Sequence, residues 1–250
     1  MKKYLIALGT LVLALGIFAL AHADIYGPTM VYWSTLDSKD LNWTTGQTTD
    51  YSASGLTGQM EGMATTTSPT FGVLGQALKF NGTTSYINLG TASALNFISS
   101  SFSINCWVLT TGTETSDVLL GNGSFGAYGY YVQFEASNTV QIVTNQVGGD
   151  QVTLTSSSLT ASKYQMLTVV RNGTTMHIYF NGVEQPYTTH TNVTNPISST
   201  GNFYIGRYQT AADFFKGDID DVRVYNTALT TSQISALYYL GAARHNNNHL

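Results

Sequence analysis

Phe214-Phe215-Lys216-Gly217-Asp218-Ile219-Asp220-Asp221-Val222-Arg223-Val224-Tyr225, followed by Asn226-Thr227-Ala228-Leu229-Thr230, is the stretch on which the fold reading turns. It reads as a strand running into a capped helix. Val222 and Val224 alternate with Arg223 and Tyr225, so the valine face is predicted to meet the core. By that alternation Asp220 shares the core face and Asp221 points outward. A carboxylate turned inward must be paired, hydrogen-bonded or metal-bound. The pair stands out in a chain of which 10% of residues are charged.

Downstream, Thr230 is a fitting N-cap and Gln233 completes a capping box. Ile234, Leu237 and Tyr238 then share one helical face. Gly241 reads as the stop signal, and Arg244 to Leu250 as a flexible tail. The helix is expected to pack across an edge of the fold. Upstream, there is little helical periodicity. Short runs of β-branched and aromatic residues alternate with Gly, Asn, Ser and Thr, which is an all-β pattern. Strands are predicted near 29–35, 77–80, 86–88, 102–110, 117–121, 130–134, 140–144, 151–155, 164–171, 175–180, 183–185, 202–206 and 218–225. Asn172-Gly173 and Asn181-Gly182 supply type I′ hairpin chemistry, which makes Tyr164 to Gln185 a three-strand meander. Asn81-Gly82 is a third turn of that kind. Asp37 to Pro69 reads as a long ordered loop with brief strands.

The N-terminus has a different character. Lys2 and Lys3 precede an apolar run from Tyr4 to Leu20, and Ala21-His22-Ala23 is a small-x-small cleavage site. Residues 1–23 are therefore expected to be a cleaved signal peptide, 24–243 a single domain and 244–250 the tail. The remaining chain is expected to be secreted to the cell exterior or surface, with no membrane contact after cleavage. Removing Lys2 and Lys3 from the 10 basic residues leaves 8 against 14 acidic ones, a charge of −6. That balance argues against nucleic acid as a partner. The one cysteine, Cys106, cannot make an internal disulfide. It alternates with Phe102, Ile104 and Val108 and reads as a small buried hydrophobe. Five Asn-x-Ser/Thr sequons, at Asn42, Asn81, Asn122, Asn172 and Asn192, are expected by chance in so Asn- and Thr-rich a chain.

Taken in order, these motifs resemble the laminin-G-like jelly roll of the concanavalin A-like lectin/glucanase superfamily, in its bacterial and archaeal extracellular branch. Ile205-Gly206-Arg207 followed by Phe215-Lys216-Gly217-Asp218-Ile219-Asp220-Asp221-Val222-Arg223-Val224-Tyr225-Asn226 and Ala228-Leu229 is the strongest match. Val31-Tyr32-Trp33-Ser34 with Asp50-Tyr51-Ser52, Ala77-Leu78-Lys79-Phe80-Asn81-Gly82 and Phe102-Ser103-Ile104-Asn105-Cys106-Trp107 are similar to its other segments. The resemblance implies a two-sheet antiparallel jelly-roll sandwich with a short C-terminal α-helix. The chain departs from the pattern at Asn81, Ser85, Tyr164 and Asp221. The first two remove acidic groups from a turn where relatives build a metal site.

Chemistry is sparse. Glycosidic hydrolysis needs two carboxylates at a defined separation, and the Glu-x-Asp-x-x-Glu of the superfamily's hydrolases does not occur. Glu61, Glu114, Glu135 and Glu184 are scattered. Asp218 and Asp220 share a strand face, but on the strand that the family uses structurally. No enzymatic activity is expected. Calcium, which takes oxygen ligands, is the metal considered, as a structural ion on Asp220 with Asp50. The competing reading has Asp220 capping backbone N–H groups or pairing an arginine. Glycan recognition would rest on loop aromatics: Tyr128 and Tyr130 in Gly126-Ala127-Tyr128-Gly129-Tyr130, Tyr208 with Asp213 and Phe214, and Trp43 in the long loop. Trp33, Phe102, Trp107, Tyr179 and Phe180 are assigned to packing. The function expected is a secreted, non-catalytic binding module for carbohydrate or an extracellular or cell-surface protein. The alternative is a homo-oligomeric, self-assembling subunit of an extracellular coat or fibre, which light scattering would separate from it.

Overall fold

The computed structural model describes residues 26–247 except 28, 99, 145–150 and 192–196, with side chains to residue 243. The expected signal peptide and the sequon at Asn192 lie outside the described residues. Two antiparallel sheets face each other. One has eight strands in the order Val183–Glu184, Thr175–Phe180, Tyr164–Asn172, Phe102–Thr110, Lys216–Tyr225, Gln76–Asn81, Pro69–Phe71, with Met30–Ser34 also on Lys216–Tyr225. The other has ten: Tyr187–His190, Gln151–Ser158, Thr139–Thr144, Tyr130–Glu135, Val118–Gly121, Tyr204–Ile205, Tyr86–Asn88, Gln59–Glu61, Gln47–Thr48, Leu41–Asn42. The predicted strands form. Tyr187–His190 is an addition, and the long loop contributes four short strands.

Strand alternation explains the core. Phe102, Ile104, Cys106 and Val108 face inward, with Leu78, Phe80, Val132, Phe134, Ile178, Val222 and Val224, in one buried cluster between the sheets. Phe97 stacks on Phe102 with centroids 4.9 Å apart, and Tyr130 closes on Phe102 at 4.7 Å. Apolar area removed from water at roughly 25 cal/mol per Å² is the main stabilising term here. Burial pushes the Cys106 thiol well above its usual range, so it stays an uncharged hydrophobe.

Of the Asn-Gly turns, Asn181-Gly182 has both residues at positive φ and joins Phe180 to its partner Val183, as type I′ requires. At the other hairpin Asn172 pairs with Thr175, so the loop residues are Gly173 and Thr174, and only Gly173 has positive φ. The turn lies one residue later than predicted. Asn81-Gly82 is not a hairpin, because Gln76–Asn81 and Tyr86–Asn88 belong to different sheets. The Asn81 side chain organises this crossover by accepting N–H groups from Thr83, Thr84 and Ser85 at 2.8–3.0 Å.

The C-terminal helix spans Thr231–Asn247. Its capping box forms: Gln233 N–H donates to Thr230 Oγ1, and Thr230 N–H donates to Gln233 Oε1. It lies on the outer face of the eight-stranded sheet rather than at an edge, burying Ile234 and Leu237 against Trp107, Met166, Tyr179 and Tyr225. It also runs through Gly241 into the segment expected to be a flexible tail. Gly241 is there for proximity: a Cβ at this position would lie 2.3 Å from Trp107 Cζ2. Among the described residues no helix is long and apolar enough to cross a membrane. Gly241→Ala, although alanine favours helix by about 1 kcal/mol, is expected to lower unfolding free energy by about 1–3 kcal/mol through overpacking. Urea denaturation checks this, and a gain in stability would refute the close-approach role.

Candidate functional site

The strand Lys216–Tyr225 changes partner halfway. Lys216 to Ile219 pair with Gln76–Asn81, whereas Val222 to Tyr225 pair with Met30–Ser34. At the changeover two of its residues oppose one on Phe102–Thr110, and Asp221 takes φ 52°. This is a β-bulge, and it resets the alternation. Ile219 and Val222 both face the core, leaving Asp220 and Asp221 together on the outer face. The expectation that Asp220 shares the face of Val222 and Val224 is corrected on that point. Asp220 is nonetheless fully buried, because the loop after Pro69–Phe71 covers it. Its Oδ2 accepts the Val73 and Leu74 N–H groups at 2.7 and 2.9 Å. Gly72 permits this approach, since a Cβ there would stand 2.5 Å from Oδ2. Asp220 Oδ1 has no hydrogen-bond partner. Burial pushes the Asp220 carboxyl up to about 8, the Leu74 N–H pulls against it, and the charge on Asp221 adds to the rise.

Asp221 has a different role. Its carboxylate pairs with Arg223, Nη2 to Oδ2 at 2.8 Å, and accepts Trp33 Nε1–H at 2.7 Å. The buried Arg223 guanidinium is held charged: burial is the largest influence and works against that, but Asp221, Tyr225 and Tyr26 together outweigh it. It lies 5.0 Å from the Trp33 ring and 5.1 Å from the Tyr26 ring. Around this pair opens a cleft of about 580 Å³. One wall is aromatic: Tyr26 and Tyr51 flank Trp33 at 5.5 and 5.3 Å. Tyr26 and Tyr51 are well exposed, at 37% and 47%. The polar side is Lys39, which bridges Asp37 and Asp40 at 3.3 and 2.6 Å. Tyr51 O–H and Thr35 O–H also donate to Asp40, at 2.6 and 2.7 Å. Burial would raise the Asp40 carboxyl, but the bonds from Lys39, Tyr51 and Thr35 overcome it and hold it below the usual range. Both cations of the cleft are already paired with carboxylates, Lys39 with Asp37 and Asp40 and Arg223 with Asp221, so no free cation is left to select an anion. Carboxylate acceptors, hydroxyl and ammonium donors and an aromatic wall suit a neutral polyhydroxylated molecule.

The residues singled out from sequence separate. Tyr130 is buried in the inter-sheet core, with its O–H on the Leu95 carbonyl at 2.9 Å; the adjacent Gly129 did not keep it at the surface. Trp43 is half-buried against the same core. Tyr128 and Tyr208 lie in neighbouring loops. A Cβ on Gly201 would touch both the Tyr128 ring and Gln209, and the Tyr208 hydroxyl accepts the N–H of exposed Phe125. Tyr208 packs edge-on against Tyr131 at 5.2 Å. Phe214 borders Arg207, and Asp213 is exposed beside it. Asp50 is an organiser of its own turn: Oδ1 accepts Trp33 N–H and Ser52 N–H, and Oδ2 accepts Leu56 N–H and Ser52 O–H, all within 2.9 Å. Among the described residues no group of three or more His, Cys, Asp or Glu is placed to hold a metal.

Sequence reading passed over Trp33, Tyr26 and Tyr51. Trp33 was assigned to packing because it sits in a strand, yet it stands opposite Arg223 on the outer face. One trace was readable: Ile219 is out of phase with Val222 and Val224, which signals a bulge.

The family described as the concanavalin A-like lectin/glucanases superfamily, in its third laminin G group, matches residues 81–235. No curated protein matches the chain. Among solved structures, domain 4 of AbnA, a GH43 extracellular arabinanase from Geobacillus stearothermophilus, in complex with arabinotriose, is similar. It is 21% identical with a TM-score of 0.66, over 84% of this chain and 98% of that one. The binding domain of Paraclostridial Mosquitocidal Protein 1 is 16% identical with a TM-score of 0.65, over 85% of this chain and 52% of that one. The binding domain of botulinum neurotoxin serotype G is 16% identical with a TM-score of 0.61, over 84% and 51%. The chain thus spans about half of each toxin binding domain. These identities establish a shared jelly-roll fold.

The Asp220 carboxyl carries a pH signature. Its folded value is raised above the ordinary 3.8, so the folded state binds the extra proton. Its contribution is fully present below that ordinary value and is lost as pH rises towards about 8. Stability should fall across that window by at most about 1.4 kcal/mol per pH unit. Asp220→Asn, which mimics the protonated acid, should flatten the slope. Thermal melts from pH 4.5 to 8.5 read it, and an unchanged slope in the variant would exclude Asp220 as its source.

Proposed function

We propose that this chain, which belongs to the concanavalin A-like lectin/glucanases superfamily, is a non-catalytic carbohydrate-binding module acting outside the cell. Its principal site is the cleft walled by Tyr26, Trp33 and Tyr51. The observation that carries the reading is this three-ring wall facing the Lys39–Asp40 hydrogen-bonding rim in the one cleft. Aromatic faces take the C–H faces of a sugar, and paired donors and acceptors read its hydroxyls. Trp33 is fixed in orientation by Asp221, so little freedom is lost when a ligand stacks. The fold likeness to an arabinanase domain in complex with arabinotriose supports this choice of ligand class. So does the likeness to the botulinum neurotoxin type C structure, whose cell entry depends on interaction with two ganglioside molecules. The scattered glutamates and the structural use of Asp220 and Asp221 support a role without catalysis.

Affinity electrophoresis on soluble arabinan, xylan and β-glucan tests the reading. Retardation by at least one polymer is expected, and Tyr26→Ala/Tyr51→Ala should weaken it by about tenfold, roughly the 1.4 kcal/mol that two lost stacking faces supply. Retardation unchanged in that variant would remove the cleft as the site. Calcium is carried forward as a structural ion on Asp220 Oδ1, the one oxygen of the Asp50 and Asp220 carboxylates that has no protein donor, where it would displace the proton that burial otherwise favours. The melting temperature should then fall in EDTA and recover with added Ca²⁺, and identical melts would discard the ion.

A further inference from the structure

Arg207 lies on the other side of the sandwich from the cleft. It follows strand Tyr204–Ile205, whose Ile205 enters the core, so Tyr204 and neighbouring Tyr86 face outward from the ten-stranded sheet. The Arg207 guanidinium sits 4.2 Å from the Tyr204 ring centroid, 4.5 Å from that of Tyr86 and 5.9 Å from that of Phe214. Tyr86 in turn contacts Tyr204 and Phe214 edge-on or tilted, at 5.7 and 6.2 Å. Two backbone carbonyls fix the fork: Nε donates to Tyr208 O at 3.0 Å and Nη2 to Gln209 O at 3.1 Å. Among the described residues no carboxylate pairs with it, in contrast to Arg223. Among the described residues, the edge of the guanidinium that carries Nη1 has no protein acceptor.

We propose that Arg207, clamped by Tyr86, Tyr204 and Phe214, is the anchor of a second glycan subsite that takes a carboxylate-bearing sugar. A planar guanidinium stacked on rings presents a rigid fork that matches a carboxylate in two hydrogen bonds, which a lysine cannot do. The rings exclude water from its faces and so strengthen the charge pairing. The half-buried ring of Phe214 and the amide of Asn202, which donates to Tyr204 O–H at 3.3 Å, supply apolar and polar contacts for the rest of the sugar. The cleft differs, because both of its cations, Lys39 and Arg223, are already paired with carboxylates. The inference rests on the carbohydrate reading but not on the cleft.

Isothermal titration of the full secreted chain tests it, with trigalacturonate against its fully methyl-esterified form and 3′-sialyllactose against lactose. The ester keeps the shape and removes the charge. At least one acidic sugar is expected to bind about tenfold or more tightly than its neutral counterpart, since a hydrogen bond to a charged group is lost with the charge. That affinity should fall as NaCl is raised. Arg207→Gln should abolish the preference and Arg207→Lys should retain only part of it, with melting curves confirming that both fold. If Arg207→Gln does not fold, the acid-against-ester comparison on the unaltered chain decides alone. Equal affinity for acid and neutral forms, no binding of either acid, or a folded Arg207→Gln variant that keeps the preference would each overturn the proposal. Binding of neutral arabinan, lost in Tyr26→Ala/Tyr51→Ala and kept in Arg207→Gln, reports on the cleft separately.

Discussion

The β-bulge at Asp220 and Asp221 is the constraint on which the rest of the structure depends. One strand, Lys216–Tyr225, has to serve two partners on the same side, Gln76–Asn81 for its first half and Met30–Ser34 for its second. A regular ladder cannot bridge the gap between them. The extra residue takes up the offset, and the two carboxylates it turns outward fill the gap. Asp220 draws in the Val73–Leu74 backbone, and Asp221 draws in Arg223 and Trp33. Buried ion pairs contribute little net stability over apolar residues, but loss of one partner strands a charge and costs about 3–5 kcal/mol. Such a pair is better suited to fixing geometry than to adding stability.

That geometry decides what the outer face can do. The bulge places Arg223 beneath Trp33, which turns a strand tryptophan into a wall of a cleft. The C-terminal helix then closes the neighbouring part of the face over Trp107, and Gly241 sets how closely it approaches. The result is a sheet whose outer surface is part buried under the helix and part open cleft. The opposite sheet carries its own aromatic group around Arg207, with a different charge balance. Arg223 is paired with a carboxylate beneath the cleft, whereas Arg207 is held by rings and backbone carbonyls, with no carboxylate partner among the described residues.

Much of the fold was legible because it depends on local patterns. Period-two alternation located the strands, and Phe102, Ile104, Cys106 and Val108 faced the core as read. The Thr230–Gln233 capping box marked the helix start. Its end was misread because a glycine that permits contact with Trp107 looks, in sequence, the same as one that stops a helix. Tyr130 was misplaced for a related reason. The neighbouring Gly129 reports backbone freedom, and the Leu95 carbonyl that takes the Tyr130 hydroxyl lies 35 residues away.

The all-β character, the number and approximate limits of the main strands, the capped helix and the family motif are all readable from the residues, since each follows from spacing within a few positions. Which strands share a sheet, where the alternation resets and which aromatics stand at the surface emerge only in the folded chain. Those depend on contacts between distant segments: Trp33 with Asp221 across 188 residues, and Val73 with Asp220 across 147. No local pattern encodes such a separation, because the energy that selects it comes from burial and pairing that exist only once the two sheets have closed.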